Sequence, residues 1–284
     1  MKLYLTIAAC CLLFAGCEDV IEVSAPAEPP RLIVDALIRI DTTQSFQIAR
    51  VRVGLTDSFF GEIPSAELKQ ITITNVDMPS TFENPNSIVM LEASPGVYER
   101  SARTEFFTSG QLVLQINYAD QLYLSRTRFV PTVPIDNIEQ GDGTLFAGDE
   151  TEVILSFTDN GSRDDFYLFD FDFGQYLVTE DEFYQGQQFT FSYFYDNRIE
   201  PGREVDISIL GVDQQLYNYM DQLIEQSGDF QGPFQTPSAT VRGNIINATD
   251  IDNIENFDNV NQPDNFALGY FGVVQEYKRP FTIQ

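Results

Sequence analysis

The sequence predicts a mainly β protein in two successive units, the second carrying one or two short helices. Three observations point there. Apolar and polar residues alternate through most of 31–130, the period of strands with one buried face. Clusters of Gly, Pro, Asn and Asp punctuate these segments at short intervals. Only one clear stretch, 213–228, places its apolar residues at helical spacing.

Taken in order, RLIVDALIRI (31–40), FQIARVRVGL (46–55), KQITITNV (69–76), SIVMLEA (87–93) and QLVLQINYADQLYLSRTRFV (111–130) read as strands. Turn residues separate them at Asp57 to Gly61, Pro79 to Pro85 and Ser94-Pro95-Gly96, and the last segment folds back near Ala119-Asp120. Short strands at this spacing, with no helical segment among them, predict an immunoglobulin-like β-sandwich over 31–133. Pro131 and Pro134 flank a change of pattern. PTVPID (131–136) therefore marks the domain boundary, and the glycine- and acid-rich IEQGDGTLFAGDE (138–150) is expected to be loop.

The second unit, 134–284, begins its strands with TEVILSF (151–157) and DFYLFDFDFG (165–174), where Phe169, Phe171 and Phe173 are expected to share a face opposite Asp170 and Asp172. QQFTFSYFYD (187–196) and REVDISILGV (203–212) continue the sheet. In DQQLYNYMDQLIEQSG (213–228), Leu216, Tyr219, Met220, Leu223 and Ile224 fall at helical spacing, with Asp213 placed to cap and Gly228 to terminate. GPFQTPSATVRGNI (232–245) is a turn-rich run into a strand, and Asn247 to Asp264 is polar. FALGYFGVVQEYKRPFTI (266–283) reads as a terminal strand with a bend at Gly272.

Composition excludes several classes of function. With 43 Asp and Glu against 16 Lys and Arg, the net charge of -27 repels nucleic acid and anionic lipid. It favours a solvated surface, a cation or a basic partner. The chain has no histidine, so Ser-His-Asp or Cys-His catalysis and an ordinary zinc-enzyme site are ruled out. Its cysteines are Cys10, Cys11 and Cys17, which leaves the rest of the chain without a disulfide or a thiolate nucleophile.

Residues 1–16 have the form of a secretory signal. Lys2 precedes an apolar run from Leu3 to Phe14 that is too short to span a bilayer, and Ala15 and Gly16 lead into Cys17. This arrangement resembles a bacterial lipoprotein signal, in which small residues precede the cysteine that is lipidated. Phe14 stands where that pattern usually has leucine. IAAC, ending at Cys10, matches locally but leaves a shorter apolar run. Beyond Cys17, Glu18, Asp19 and Glu22 resemble the acidic tag that directs Bacteroidetes lipoproteins to the outer face of the outer membrane. Several acyl chains on Cys17 would make a strong anchor. SAPAEPP (24–30), at the end of a 17–30 tether, then reads as a semi-rigid spacer.

LIVDALI (32–38), GQLVLQINYADQLYLSRT (110–127) leading into VPID, DDFYLFDF (164–171), PGREVDISILGVDQQLYNYMDQL (201–223), TPSATVRGNI (236–245) and FALGYFGV (266–273) carry a wider likeness. In order and spacing they resemble a family of Bacteroidetes outer-membrane lipoproteins of unknown function whose genes neighbour those of TonB-dependent receptors. The resemblance spans most of the chain beyond Cys17. It implies a lipid-anchored partner of an outer-membrane β-barrel, and it supplies no catalytic residues.

Candidate sites are few. Asp159, Asn160, Gly161, Asp164 and Asp165 place oxygen ligands around a glycine turn, a set that suits calcium. They lack the alternating spacing and distal glutamate of an EF-hand, and an Asx turn explains them more simply. Asp250, Asp252, Glu255, Asp258 and Asp264 read as solvated surface in a long loop, with ion or partner binding as the alternative. In QQFTFSYFYDNR (187–198), Phe191, Tyr193 and Tyr195 alternate with Thr190, Ser192 and Phe194. The rings are expected to be core, with an exposed rail for sugar or peptide as the other reading. No pair of acids has a spacing that singles it out for glycoside hydrolysis.

The functional expectation is a lipid-anchored, non-enzymatic outer-membrane accessory protein. It would face the cell surface and partner a TonB-dependent transporter in nutrient capture or import, with no cofactor beyond calcium at the turn above. A structural or assembly subunit of a larger outer-membrane machine is the alternative, and a carboxylate-based surface hydrolase the third reading.

Overall fold

A computed structural model describes residues 30–56, 63–145, 148–195, 198–227, 240–249, 251 and 266–284. The 1–16 signal, Cys17, Glu18, Asp19, Glu22 and the tether up to residue 29 lie outside the described residues. So do the turn at 57–61, Gly228, and Asp250, Asp252, Glu255, Asp258 and Asp264.

The first half forms β1 (Leu32–Ile40), β2 (Phe46–Leu55), β3 (Gln70–Asn75), β4 (Ser87–Val89), β5 (Leu91–Ser94), β6 (Val97–Arg103), α1 (Thr104–Thr108), β7 (Gln111–Tyr118) and β8 (Gln121–Val130). The second half forms β9 (Ile135–Gln140), β10 (Thr151–Thr158), β11 (Phe166–Asp170), β12 (Tyr176–Glu180), β13 (Gln188–Tyr195), β14 (Glu204–Val212), α2 (Gln214–Ser227), β15 (Ile246–Asn247) and β16 (Leu268–Thr282). The chain is mainly β throughout.

In the first half, β5-β6-β2-β1 and β4-β3-β7-β8 are two arms of one sheet, joined through β16, which pairs with both β1 and β8, and the two arms share one core. Alternation drives this. Val34, Ala36 and Ile38 of β1, Ala49, Val51 and Val53 of β2, and Leu112, Leu114 and Ile116 of β7 all point inward. The β7–β8 hairpin turns on Ala119 and Asp120, both left-handed (φ 48 and 61), the geometry whose twist suits a two-residue turn. Between β6 and β7 the sequence showed no helix, yet Thr104–Thr108 form one helical turn. Its Phe106 and Phe107 plug the core, and Asn75 Nδ2 donates to Phe106 O at 2.9 Å. One turn is too short to display a period.

The second half packs β9-β10-β13 against β12-β11-β14-β16. Residues 135–140, placed within the boundary and loop, are a strand instead. Ile135 and Ile138 are three positions apart, which breaks alternation, but they pair with Phe157 and Leu155, two apart. A register shift between Ser156 and Phe157 absorbs the extra residue, so both isoleucines reach the core. Phe173 departs from the face expected of it. β11 stops at Asp170, Asp172 and Phe173 turn left-handed (φ 67 and 53), and Phe173 is exposed beneath the Arg203 guanidinium. Phe189, Phe191, Tyr193 and Tyr195 of β13 face inward, with Phe171 and Tyr193 stacked at 3.7 Å and Tyr184 and Phe189 at 4.3 Å, while Phe194 lies on the opposite face with Thr190 and Ser192.

β16 belongs to both halves. Leu268–Gln275 run parallel to β1, from Ile33↔Leu268 to Ile40↔Gln275, and Glu276–Thr282 run antiparallel to β14. The first sheet is thus completed by a strand more than 130 residues beyond the boundary at 133. The change of sheet falls between Gln275 and Glu276, beyond Gly272. α2 lies over the outer face of β11, β12 and β14, with Leu216 buried among Leu168, Leu210, Val212 and Tyr270. Asp213 Oδ1 accepts from Leu216 N–H at 2.8 Å and caps the helix.

Candidate functional site

Where the two sandwiches meet, the outer face of β1 and β2 and the free stripe of α2 enclose a cleft of about 570 Å³, within the usual size range of ligand sites. Alternation assigns its first wall. With Gln47, Ala49, Val51 and Val53 turned inward, Ile48, Arg50 and Arg52 of β2 must point out, as do Asp35, Leu37 and Arg39 of β1. Helical spacing assigns the opposite wall, Tyr219, Met220 and Leu223. Leu37, Leu168 and Tyr270 meet between the walls in one apolar cluster. A second hollow of about 300 Å³ shares Ile33, Asp35 and Arg52 and extends the cleft toward Ile63 and Pro95.

Arginine supplies the polar groups. Arg39 Nη1 lies 2.7 Å from Asp170 and 3.2 Å from Glu276. Burial works against its charge, but the two carboxylates more than offset this and raise its pKa. Arg52 pairs with Asp35 at 3.1 Å and Arg50 with Glu99 at 2.5 Å. Both are more than half exposed, and each guanidinium has more donors than these single contacts use. The phenols are neutral. Burial pushes the Tyr219 and Tyr270 hydroxyls up, and Tyr270 also donates to Asp213 Oδ1 at 3.3 Å. Fixed cations beside aromatic and aliphatic walls can bind and orient a molecule with an apolar body and an anionic or hydrogen-bonding group.

The acidic turn is built differently from a calcium loop. Asn160 Oδ1 accepts from Ser162 N–H at 3.2 Å, an Asx turn. Asp159 accepts from the Tyr167 hydroxyl and, at 2.6 Å, from Gly186 N–H. Asp165 takes a bidentate contact from Arg163 (2.9 and 2.7 Å). Asp164 accepts from Gln185 Nε2 at 3.0 Å. Asp181, which the sequence reading left out, joins this cluster by accepting from Asp165 N–H at 2.8 Å. Burial, together with Asp159, Asp165 and Asp164, raises its pKa despite that bond. Among the described residues no group of three or more acidic side chains is arranged to hold a metal ion.

A family profile described as "Domain of unknown function (DUF4249)" matches residues 18–279. The chain belongs to the DUF4249 family. The match begins immediately after Cys17 and includes both sandwiches and every residue of the cleft named above. No curated protein matches the chain.

In this DUF4249 chain the sequence reading passed over the cleft. One signal was available: Arg50 and Arg52 occupy the outward positions of a strand in a chain of net charge -27. The apolar stripe of α2 was legible too, but helical spacing does not say which part of a stripe another element covers. Leu216 is buried, whereas Tyr219, Met220 and Leu223 remain part-exposed on the cleft wall.

Proposed function

We propose that this protein is a lipid-anchored, non-enzymatic accessory protein of the bacterial outer membrane, and that it partners a TonB-dependent β-barrel in nutrient capture or import. One observation carries the reading: an apolar run ending at Phe14, small residues at Ala15 and Gly16, and Cys17 placed directly before the region shared with the family. Acyl chains on Cys17 would hold the body at the membrane, and Glu18, Asp19 and Glu22 would direct it outward. The cleft between β1–β2 and α2 supports a binding role, since its size and its mix of apolar walls and guanidinium donors suit a small nutrient.

Mass spectrometry of the N-terminal peptide from the native host should find an acylated Cys17, and Cys17→Ala should release the protein from the membrane. Affinity isolation in mild detergent should bring down a β-barrel. An unmodified, freely secreted N-terminus, or the lack of any barrel under conditions in which other transporter complexes survive, would overturn the reading.

A further inference from the structure

We propose that the outer edge of β13 is a docking site for an extended segment of a partner protein, which adds to the β9-β10-β13 sheet as a further strand. The inference concerns a different surface from the cleft and does not rest on the lipid anchor.

The register shows which backbone groups are available. Asp159 N–H donates to Gln187 O at 3.0 Å, and this pair continues the ladder that sets Thr158 opposite Gln188. In an antiparallel pair the hydrogen-bonded positions recur every second residue. Phe189, Phe191, Tyr193 and Tyr195 therefore bond to β10, while the N–H and C=O of Gln188, Thr190, Ser192 and Phe194 point away from it. Among the described residues no strand lies on that side, and no hydrogen bond reaches those backbone groups.

Exposed edges normally carry a device that blocks further pairing. The other edges here do. β4 has three residues, and β5 has four with a register shift. β12 has five residues and ends on Glu180. β9 carries Asp136 and Glu139, and Arg279 caps its Ile135 and Asp136 carbonyls at 3.4 and 3.1 Å. β13 runs for eight residues, QFTFSYFY, in unbroken register, with no proline and no charged side chain. Exposed aromatics stand at both ends. Phe183 is 86% exposed next to Tyr184, which stacks on Phe189, and Phe173 is 49% exposed with its ring 6.5 Å from Tyr195. Such rings suit the anchor positions of an added strand.

Charge selects the occupant. A second copy would bring two bodies of net charge -27 edge to edge. A neutral or basic segment of another protein meets no such repulsion.

The full-length protein is titrated with a fluorescent peptide of alternating Thr and Val ending in two lysines, with a glutamate-ended version, and with a version N-methylated at every Thr and Val. The lysine peptide should bind, and N-methylation of all its Thr and Val residues, which blocks both edges of the strand, should weaken it roughly tenfold or more. On binding, hydrogen exchange at Thr190 and Ser192 should slow, having been fast in the free protein. Thr190→Pro with Ser192→Pro removes only outward N–H groups, so the ladder survives while peptide affinity falls by a similar factor. Equal binding of the fully N-methylated peptide overturns the proposal on wild-type protein alone, whatever the folding of the proline variant. Tighter binding of the glutamate peptide, slow exchange at Thr190 and Ser192 in the free monomer, or a concentration-dependent dimer also overturns it.

Discussion

Arg39 on β1 reaches Asp170 on β11 at 2.7 Å, across the seam between the two sandwiches, and the same guanidinium reaches Glu276, the first residue of β16 to pair with β14. All three side chains are less than a third exposed, so the contact is one in which an unmatched charge is expensive. Arg39→Met should destabilise the protein by about 2–4 kcal/mol in urea unfolding, because two shielded carboxylates lose their cation. Adding Asp170→Asn and Glu276→Gln should restore much of that loss. A triple variant no more stable than Arg39→Met would show that the seam does not depend on charge balance.

β16 reaches β1 through close backbone contact. A Cβ on Gly269 would lie 1.9 Å from Val34 O, and Gly269 has φ +98, outside the range that other residues adopt readily. Gly269→Ala should cost at least about 2 kcal/mol in thermal or urea unfolding, more than Gly272→Ala, whose Cβ would meet only side chains at 3.1 Å or beyond.

The same strand bears on the boundary at 133. A fragment spanning 31–133 lacks the parallel partner of β1 and exposes core that Phe271 and Val273 otherwise cover. It should unfold without a cooperative transition by circular dichroism, and a synthetic 266–284 peptide added in trans should restore one. Cooperative folding of the fragment alone would make β16 an accessory to that sandwich.

Asp181 provides a test by pH. Its folded pKa is raised by burial and by neighbouring carboxylates, so its contribution favours the folded state below the unfolded pKa and is lost as pH rises through the folded value. Asp181→Asn keeps an oxygen to accept from Asp165 N–H and removes the charge. The variant should be more stable at neutral pH, by up to about 1 kcal/mol, and the gain should shrink as the pH falls into the carboxylate range. A gain that persists unchanged in acid would assign the effect to packing.

The cleft can be probed without its natural ligand. Anilinonaphthalene sulfonate has an apolar body and a fixed anion, and its fluorescence should rise on binding between Arg52 and the α2 wall. Met220→Trp, which fills the cleft, and Arg52→Glu, which reverses its charge, should each weaken the dye by roughly fivefold or more, while Ser87→Glu on β4, at the other end of the strand order from β2, should not. Indifference of the dye to both changes would place it elsewhere.

Much of the architecture was legible locally. Alternation over 32–40, 46–55 and 111–130 marked the strands and their buried faces, because a period of two leaves one set of side chains to hide. The helix at 213–228 announced itself by apolar spacing and by Asp213, whose cap the structure contains. β9 escaped because its isoleucines fit only through a register shift in the pairing with β10, and α1 because one turn has no period. At the acidic turn, Asn160 was legible as an Asx turn, but Asp181 is 16 residues from Asp165 and nothing nearby in sequence pointed to it.

The sequence by itself determined the mainly β class, the inward face of most strands, the helix at 213–228 and the acidic, histidine-free composition. Only the tertiary structure decided that β16 lies parallel to β1, that Arg39 meets Asp170 and Glu276, and that the outward side of β2 faces α2 across a cleft. The physical reason is that periodicity specifies which side of a strand avoids water. The backbone ladder that chooses its neighbour is built from the same N–H and C=O groups at every residue, so the choice is left to shape and charge brought together from distant parts of the chain.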